Sequence, residues 1–368
     1  MELSARNVNR VWSQAVRELR ASGVRRNSRN GPVIEYPEPV VSVYECPQER
    51  VLFDPIRDAN PFFHLFESLW ILAGRNDVFW PAQFAERLKD YSDDGETFHG
   101  AYGHRLRYGP GGHDQIALVV QMLKDDPTSR RAVLQIWDAH HDLAVSSKDI
   151  PCNTQLYLKI SGRQLRMTVC NRSNDICWGL YGANAVQWSM LQEYLASKLG
   201  VLCGPLTTVS DSFHAYLDNP TWTQYADGQQ APPNMDPYEA GITAPWPLME
   251  VPGTFDKELE RFLNDPADEL AEMFPERKSY LNSFYWVVAV PMFKAWRAHK
   301  ANKTGLTILQ EETDAQWQTG SQGIDWIGAA RSWLERREVD AKSSTPTASA
   351  VGRRRRGHAP GSARQVRG

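Results

Sequence analysis

Three neighbouring stretches, residues 131–138 (RAVLQIWD), 154–160 (TQLYLKI) and 164–173 (QLRMTVCNRS), decide the fold class. Each is rich in β-branched, aromatic and aliphatic residues with apolar and polar positions alternating, the period of a strand with one buried face. The last two flank Ser161-Gly162, a hairpin turn signal, and pairing across that turn allows Arg172 to return beside Cys152. Working outward, residues 185–200 (AVQWSMLQEYLASKLG) read as an amphipathic helix stopped at Gly200, and residues 207–217 (TTVSDSFHAYL) as a further strand. Upstream, residues 60–74 (NPFFHLFESLWILAG) place Phe63, Phe66, Leu69, Trp70 and Ala73 on one helical face before Gly74, with Glu67 inside an otherwise apolar run. Strands and helices interleave without regular βαβ spacing and without repeats. The expectation is an α+β fold, a mixed β-sheet with flanking helices.

Near the end of the chain, residues 291–301 (PMFKAWRAHKA) and 324–337 (IDWIGAARSWLERR) carry helical spacing and predict a pair of helices within 280–338 that packs on the main body. Residues 341–368 hold seven Lys and Arg, no acid and almost no large apolar side chain, so burial cannot offset the entropy of ordering them. We read 1–340 as one catalytic domain and 341–368 as a disordered basic tail. The formal charge of −3 becomes −10 on residues 1–340 once the seven positives of the tail are set aside. An acidic body argues against a nucleic-acid-binding core, leaving only the tail for such contacts.

Hydrophobic content of 42% and charged content of 23% fit a soluble globular protein, and no apolar stretch approaches the ~20 residues of a membrane span. The opening MELSARNVNRVWSQ lacks a secretory signal, which predicts a cytoplasmic location. Five cysteines without a CxxC pair fit neither a disulfide framework nor a zinc site, so any special cysteine should be a reactive one.

Cys152, in Pro151-Cys152-Asn153, is the candidate nucleophile. A lone cysteine is usually a small buried apolar residue. A guanidinium at Arg172 would change that by favouring thiolate over thiol. Arg130-Arg131, Arg172-Ser173 and Arg29 in a Ser-Arg-Asn-Gly turn supply guanidinium forks that match phosphate oxygens, where isolated surface arginines would be only solvated charge. Pairing Cys152 with His104 or His214 as a hydrolase lacks a third, orienting residue.

Taken together these residues resemble the thymidylate synthase family, which includes the pyrimidine nucleotide hydroxymethylases. The resemblance spans residues 29–219 and is carried, in family order, by Ser129-Arg130-Arg131, Trp137-Asp138, Pro151-Cys152, Arg172-Ser173-Asn174-Asp175, Gly179, Asn184 and His214-Ala215-Tyr216. It implies that Cys152 attacks carbon 6 of a pyrimidine nucleoside monophosphate and that Glu67 relays protons near the ring. Tyr102, in Gly100-Ala101-Tyr102-Gly103, then stands near the thiol. By the same resemblance Arg29, Arg172 and Ser173 bind phosphate within the subunit, while Arg130 and Arg131 reach the partner's phosphate across a homodimer. Asn184 reads the base, His214 and Tyr216 hold the sugar, and Asp175 holds the pterin of 5,10-methylenetetrahydrofolate. No metal is required. Thiolate addition makes carbon 5 nucleophilic enough to take up a one-carbon unit.

Three departures bear on the product. Asn153 follows the cysteine where many synthases carry histidine. The segment from Gly179 to Asn184 is one residue longer than the family pattern. The family's tryptophan ahead of the Gly-x-Tyr-Gly segment has no clear match in residues 84–98, and the chain closes on a helix and basic tail instead of a short apolar one. If water reaches the exocyclic methylene before hydride does, the product is hydroxymethyl. The asparagine at 184 suits uracil, whose ring edge both donates and accepts. The expected reaction is 5-hydroxymethylation of dUMP, as in bacteriophage members that modify DNA bases, which would work in the host cytoplasm. The alternatives are thymidylate synthesis, hydroxymethylation of dCMP or CMP and, from another class, a nucleic-acid binder with a vestigial site.

Overall fold

The computed structural model describes residues 1–343 apart from 110, 229, 268, 270–279, 302–303 and 315–322. The strands are Glu2–Ala5 (β1), Val24–Ser28 (β2), Gly31–Glu35 (β3), Val40–Tyr44 (β4), Val133–Gln135 (β5), Asn153–Ser161 (β6), Gln164–Asp175 (β7) and Leu202–Tyr216 (β8). They form one sheet in the order β1-β4-β8-β7-β6-β5, with the β2/β3 hairpin joined through β3 to the end of β8. Because β6 and β7 are antiparallel while β7 and β8 are parallel, the sheet is mixed, as the sequence pattern predicts. The turn between β6 and β7 is Gly162-Arg163, one residue later than the Ser161-Gly162 expectation. Gly162 takes φ 62°, a left-handed backbone that glycine adopts freely.

The period of two along β6 and β7 buries Leu156, Leu158, Leu165, Met167 and Val169 and leaves Tyr157, Lys159 and Arg166 outside. Helix Ala185–Leu199 packs on β7 and β8, buries residues 185–196 without exception, and ends at Gly200 with φ 68°, the expected left-handed stop. Helix Pro61–Leu72 packs in turn against Ala185–Leu199. It begins where Asn60 accepts from Phe63 N at 3.1 Å, with Pro61 at its first position, where a missing N–H costs nothing.

The single buried face expected of that helix is a correction. Every residue from Pro61 to Leu72 except Glu67 is buried. The cause is a second cover. Helices Val290–Lys300 and Asp325–Ser343 close over the far side, with Phe62 against Trp296 at 5.3 Å and Trp333 at 5.5 Å. A third helix, Gly305–Asp314, lies between them in the chain where a pair was expected; its polar run QEETD masks the pattern. The last helix runs to Ser343, past the expected boundary at 341, and residues 344–368 of the basic tail lie outside the described residues. No helix among the described residues is long and apolar enough to cross a membrane.

Candidate active site

Cys152 stands immediately before β6, opposite the stretch of β7 that carries Arg172. Hairpin register sets this approach: Asn153 pairs with Asn171, and Arg172 N donates to Cys152 O at 3.0 Å. The guanidinium then folds back over the cysteine loop. Its Nε donates to Pro151 O at 2.8 Å and its Nη2 to Ile150 O at 2.9 Å, leaving Nη2 3.8 Å from Cys152 Sγ. The ring of Trp137 lies under the same guanidinium at 5.6 Å. The geometry meets the sequence expectation, but the electrostatic balance does not. Burial pushes the Cys152 thiol above its ordinary value; Arg172 and Arg29 pull it down, and Asp149 adds to the rise. In the ligand-free protein, burial outweighs the two arginines.

Arg29 reaches this field from the turn between β2 and β3, an exposed position. Tyr102 begins helix Tyr102–Tyr108, with its ring 5.5 Å from Trp188. Burial pushes its hydroxyl well up, with the charges of Cys152 and Asp149 adding to the effect. Asn153 accepts from Trp188 Nε1 at 3.1 Å, and its side-chain amide works against the rise of the Tyr102 hydroxyl.

Glu67 looks out from the apolar helix into the same space. Burial pushes its carboxyl up to about 8, opposed by a hydrogen bond from Gln187 and reinforced by Asp149. Gln187 Nε2 donates to Glu67 Oε2 at 2.6 Å, and Gln187 Oε1 accepts from Asn184 Nδ2 at 2.9 Å. An acid, an amide bridge and the candidate base-reading amide therefore form one hydrogen-bonded chain, buried at Gln187 and Asn184 and partly open at Glu67.

The extra residue between Gly179 and Asn184 is absorbed by a π-helix over Ile176–Asn184, a device that admits one residue without breaking the helix that follows. Asp175 caps this segment, accepting from Cys177 N at 3.0 Å and Trp178 N at 3.2 Å. Its carboxyl is raised by burial. Trp178 is half exposed and stacks on Phe63 at 5.7 Å, and beside it the buried Arg57 leaves Nε unpaired. Gly182 lies against the Arg57 guanidinium and the His64 ring, where a Cβ would meet Arg57 Nη2 at 2.6 Å. Burial lowers His64 to about 3, so this wall is a neutral imidazole.

Ser173 pairs with Ser212 across the parallel β7/β8 ladder, and His214 pairs with Asp175. His214 Nδ1 lies 3.1 Å from Ser212 Oγ, with Tyr216 against its ring at 5.4 Å. His104 turns instead to Gly74 O at 3.3 Å, so neither histidine weighed for a hydrolase bonds to Cys152. Arg130 and Arg131 project from the chain just ahead of the edge strand β5, both exposed, and take part in no described hydrogen bond around Cys152 through their side chains. Among the described residues no His, Cys, Asp and Glu group is arranged to hold a metal ion.

Three participants escape the sequence reading. Asp149 lies three residues before the nucleophile and takes Gly100 N at 2.7 Å on Oδ2. Gln187 sits three residues after Asn184, a spacing that puts both side chains on one helical face. Arg57 is separated from Asp175 in the chain by more than a hundred residues and carries no local signal.

The sequence model of the thymidylate synthase family, described as "Thymidylate synthase", matches residues 14–233. Among curated proteins the chain is 43% identical over 356 residues to a "Deoxyuridylate hydroxymethyltransferase" of Pseudomonas phage M6, covering 92% of this chain and 97% of that one. It is 39% identical over 201 residues to a protein of the same description from Bacillus phage SP01, covering 51% and 52%. A "Putative thymidylate synthase" of Methanosarcina barkeri is 30% identical over 219 residues, covering 58% and 88%.

Proposed function

The chain belongs to the thymidylate synthase family, and from that premise we propose that it transfers the methylene carbon of methylenetetrahydrofolate to carbon 5 of dUMP through an adduct on Cys152, with water supplying the hydroxyl of the 5-hydroxymethyl product. The observation that carries the reading is the approach of Arg172 to Cys152, 3.8 Å from sulfur, with Tyr102 within the electrostatic reach of both Cys152 and Glu67. A phosphate dianion bound by Arg29, Arg172 and Ser173 sets the pyrimidine over the sulfur. The thiolate forms a bond to carbon 6, and the ring electrons move toward the oxygen on carbon 4. Glu67, protonated near neutral pH by its burial, supplies a proton toward that oxygen, and Tyr102 adds a dipole near the sulfur.

The side chains around Asp175 suit folate. The Asp175 carboxylate has lone pairs beyond those given to the cap, Trp178 offers a half-exposed ring face, and Arg57 has a buried donor without partner. When bound, folate supplies a one-carbon unit at the oxidation level of formaldehyde. Asp175 would hold the pterin and Trp178 would cover it. Asn184 reads the base, and His214 with Tyr216 orients the sugar.

A homodimer completes the site in this reading. The outer face of the sheet leaves Val133 and Tyr157 exposed, with Arg130 and Arg131 at its edge. Apposed sheets would bury the apolar positions and carry both arginines to the partner's phosphate. Residues 1–340 serve as the catalytic unit, with the basic tail outside it.

The test is direct. Purified protein is incubated with methylenetetrahydrofolate and dUMP, dCMP or CMP, and the nucleotide is weighed by mass spectrometry while absorbance follows dihydrofolate. The expected product is hydroxymethyl-dUMP with no dihydrofolate. A methylated nucleotide with stoichiometric dihydrofolate would make the protein a thymidylate synthase, and a modified cytosine would overturn the choice of base.

A further inference from the structure

Asn184 alone does not select a base. Its side-chain amide can turn over, presenting oxygen where it presented nitrogen, and each orientation suits a different pyrimidine. Uracil offers a carbonyl on carbon 4 and an N–H at position 3. Cytosine offers an amine and a bare nitrogen at the same places. Selectivity therefore needs a neighbour that fixes the amide, and the structure contains one.

Resting on the function proposed above, we propose that Gln187 is the specificity-determining residue that makes Asn184 read uracil and reject cytosine, by holding the Asn184 amide in one orientation. Gln187 Oε1 accepts from Asn184 Nδ2 at 2.9 Å while Gln187 Nε2 donates to Glu67 Oε2 at 2.6 Å. Gln187 and Asn184 are both buried, so water does not substitute for either bond. With one Nδ2 hydrogen committed to Gln187, Asn184 keeps its other hydrogen and Oδ1 for the base. That pair matches the 4-oxo, 3-NH edge of uracil.

Reading cytosine requires Asn184 to turn, which places Oδ1 against Gln187 Oε1, two acceptors facing each other. Turning Gln187 as well relieves that clash only if Glu67 Oε2 becomes the donor. The proton on Glu67 is then committed to Gln187 and is withdrawn from the ring. Cytosine is thus disfavoured twice, in binding and in proton supply. Gly179 leaves space for this amide, since an added Cβ there would stand 3.1 Å from Asn184 Oδ1. Specificity built by leaving a buried polar group unpaired with the wrong ligand is stronger than specificity built by shape.

The test uses the full chain and binding of dUMP and dCMP by titration calorimetry without folate, on wild type, Gln187→Met and Gln187→Glu. Methionine keeps the volume and removes both hydrogen bonds. Glutamate keeps an acceptor toward Asn184 and shares a proton with Glu67. The expected results are a wild-type preference for dUMP, a fall in that preference of about tenfold in Gln187→Met, mainly through weaker dUMP binding, and near wild-type preference in Gln187→Glu despite lost turnover. An unchanged ratio in Gln187→Met overturns the proposal, as does a Gln187→Glu variant that loses preference as far as methionine does. Should Gln187→Met not fold, judged by circular dichroism, the Gln187→Glu ratio decides alone. A wild type that binds neither nucleotide removes the functional reading itself, an outcome distinct from a preference that survives substitution.

Discussion

Arg172 holds the loop of Cys152 and its sulfur with one guanidinium: Nη2 lies 2.9 Å from Ile150 O and 3.8 Å from Cys152 Sγ, while Nε donates to Pro151 O. Lysine keeps the charge and loses the fork, so Arg172→Lys should loosen the loop while leaving some thiolate stabilisation. Arg172→Ala removes both. Because Arg172 opposes the rise in the Cys152 pKa caused by burial, alkylation of Cys152 by iodoacetamide should slow severalfold in the lysine variant and about tenfold in the alanine variant. Peptide mass mapping reads the rate, with the exposed Cys46 as internal control. Equal rates in all three proteins would remove Arg172 from the activation of the thiol.

Cys152→Ser should abolish turnover, a loss of roughly a thousandfold or more, because a buried hydroxyl does not ionise at neutral pH. Release of tritium from carbon 5 of labelled dUMP should vanish with it, since adduct formation precedes loss of that hydrogen. Nucleotide binding should remain, as the arginines are untouched. Persistent tritium release in the serine variant would exclude a covalent mechanism.

Glu67 links activity to stability. Its folded-state carboxyl is raised to about 8 from an ordinary 4.5, so between those values the folded protein holds a proton that the unfolded chain has released. Stability from this group falls as pH rises from about 4.5 through about 8. Glu67→Gln stays neutral throughout, so its melting temperature relative to wild type should climb across that window and level off above it. Asp325, buried and raised to about 7, contributes a slope of the same sign in both proteins and cancels in the comparison. The same variant should lose catalysis, and wild-type kcat should decline on the basic side near pH 8 as the acid is deprotonated. Parallel melting curves for the two proteins from pH 5 to 9 would contradict the burial of this group.

The parts of the fold that rest on local periodicity were legible. Alternation in residues 154–173 marks β6 and β7, and a turn signal at Ser161-Gly162, one residue ahead of the actual turn, is enough to allow Arg172 beside Cys152. Gly200 stopped its helix where expected. What local pattern does not contain is the second cover on helix Pro61–Leu72, because Trp296 and Trp333 arrive from more than two hundred residues away. The same limit hid Arg57. Net electrostatics was also out of reach: the arginines near Cys152 were readable as residue types, but burial, which outweighs them, is a property of the assembled site. Gln187 was concealed for another reason, since a glutamine in an amphipathic helix reads as surface until its partners are known.

Gly103 sets the spacing between the two helices that present Tyr102 and Glu67. An added Cβ would stand 2.0 Å from Ile71 O, a backbone atom with no rotamer to yield. Gly103→Ala should therefore cost about 1–3 kcal/mol or more by chemical denaturation and lower activity beyond its effect on folding, by moving Tyr102 away from the thiol. A variant with wild-type stability and activity would show that helix Tyr102–Tyr108 shifts without consequence.

Asp149 opposes the arginines. Its Oδ2 accepts from Gly100 N at 2.7 Å, and its negative charge raises Cys152, Tyr102 and Glu67 together. Asp149→Asn keeps an acceptor for Gly100 and removes the charge. With that field gone, thiolate becomes easier to form and Glu67 gives up its proton sooner. Two shifts of the same sign should follow: Cys152 alkylates about threefold to tenfold faster near pH 8, and the basic limb of the kcat profile moves to lower pH. Their joint appearance is the diagnostic point, because a local distortion of the cysteine loop would change alkylation without moving a titration that belongs to Glu67. If alkylation accelerates while the limb stays in place, Asp149 acts on the loop and not through its charge.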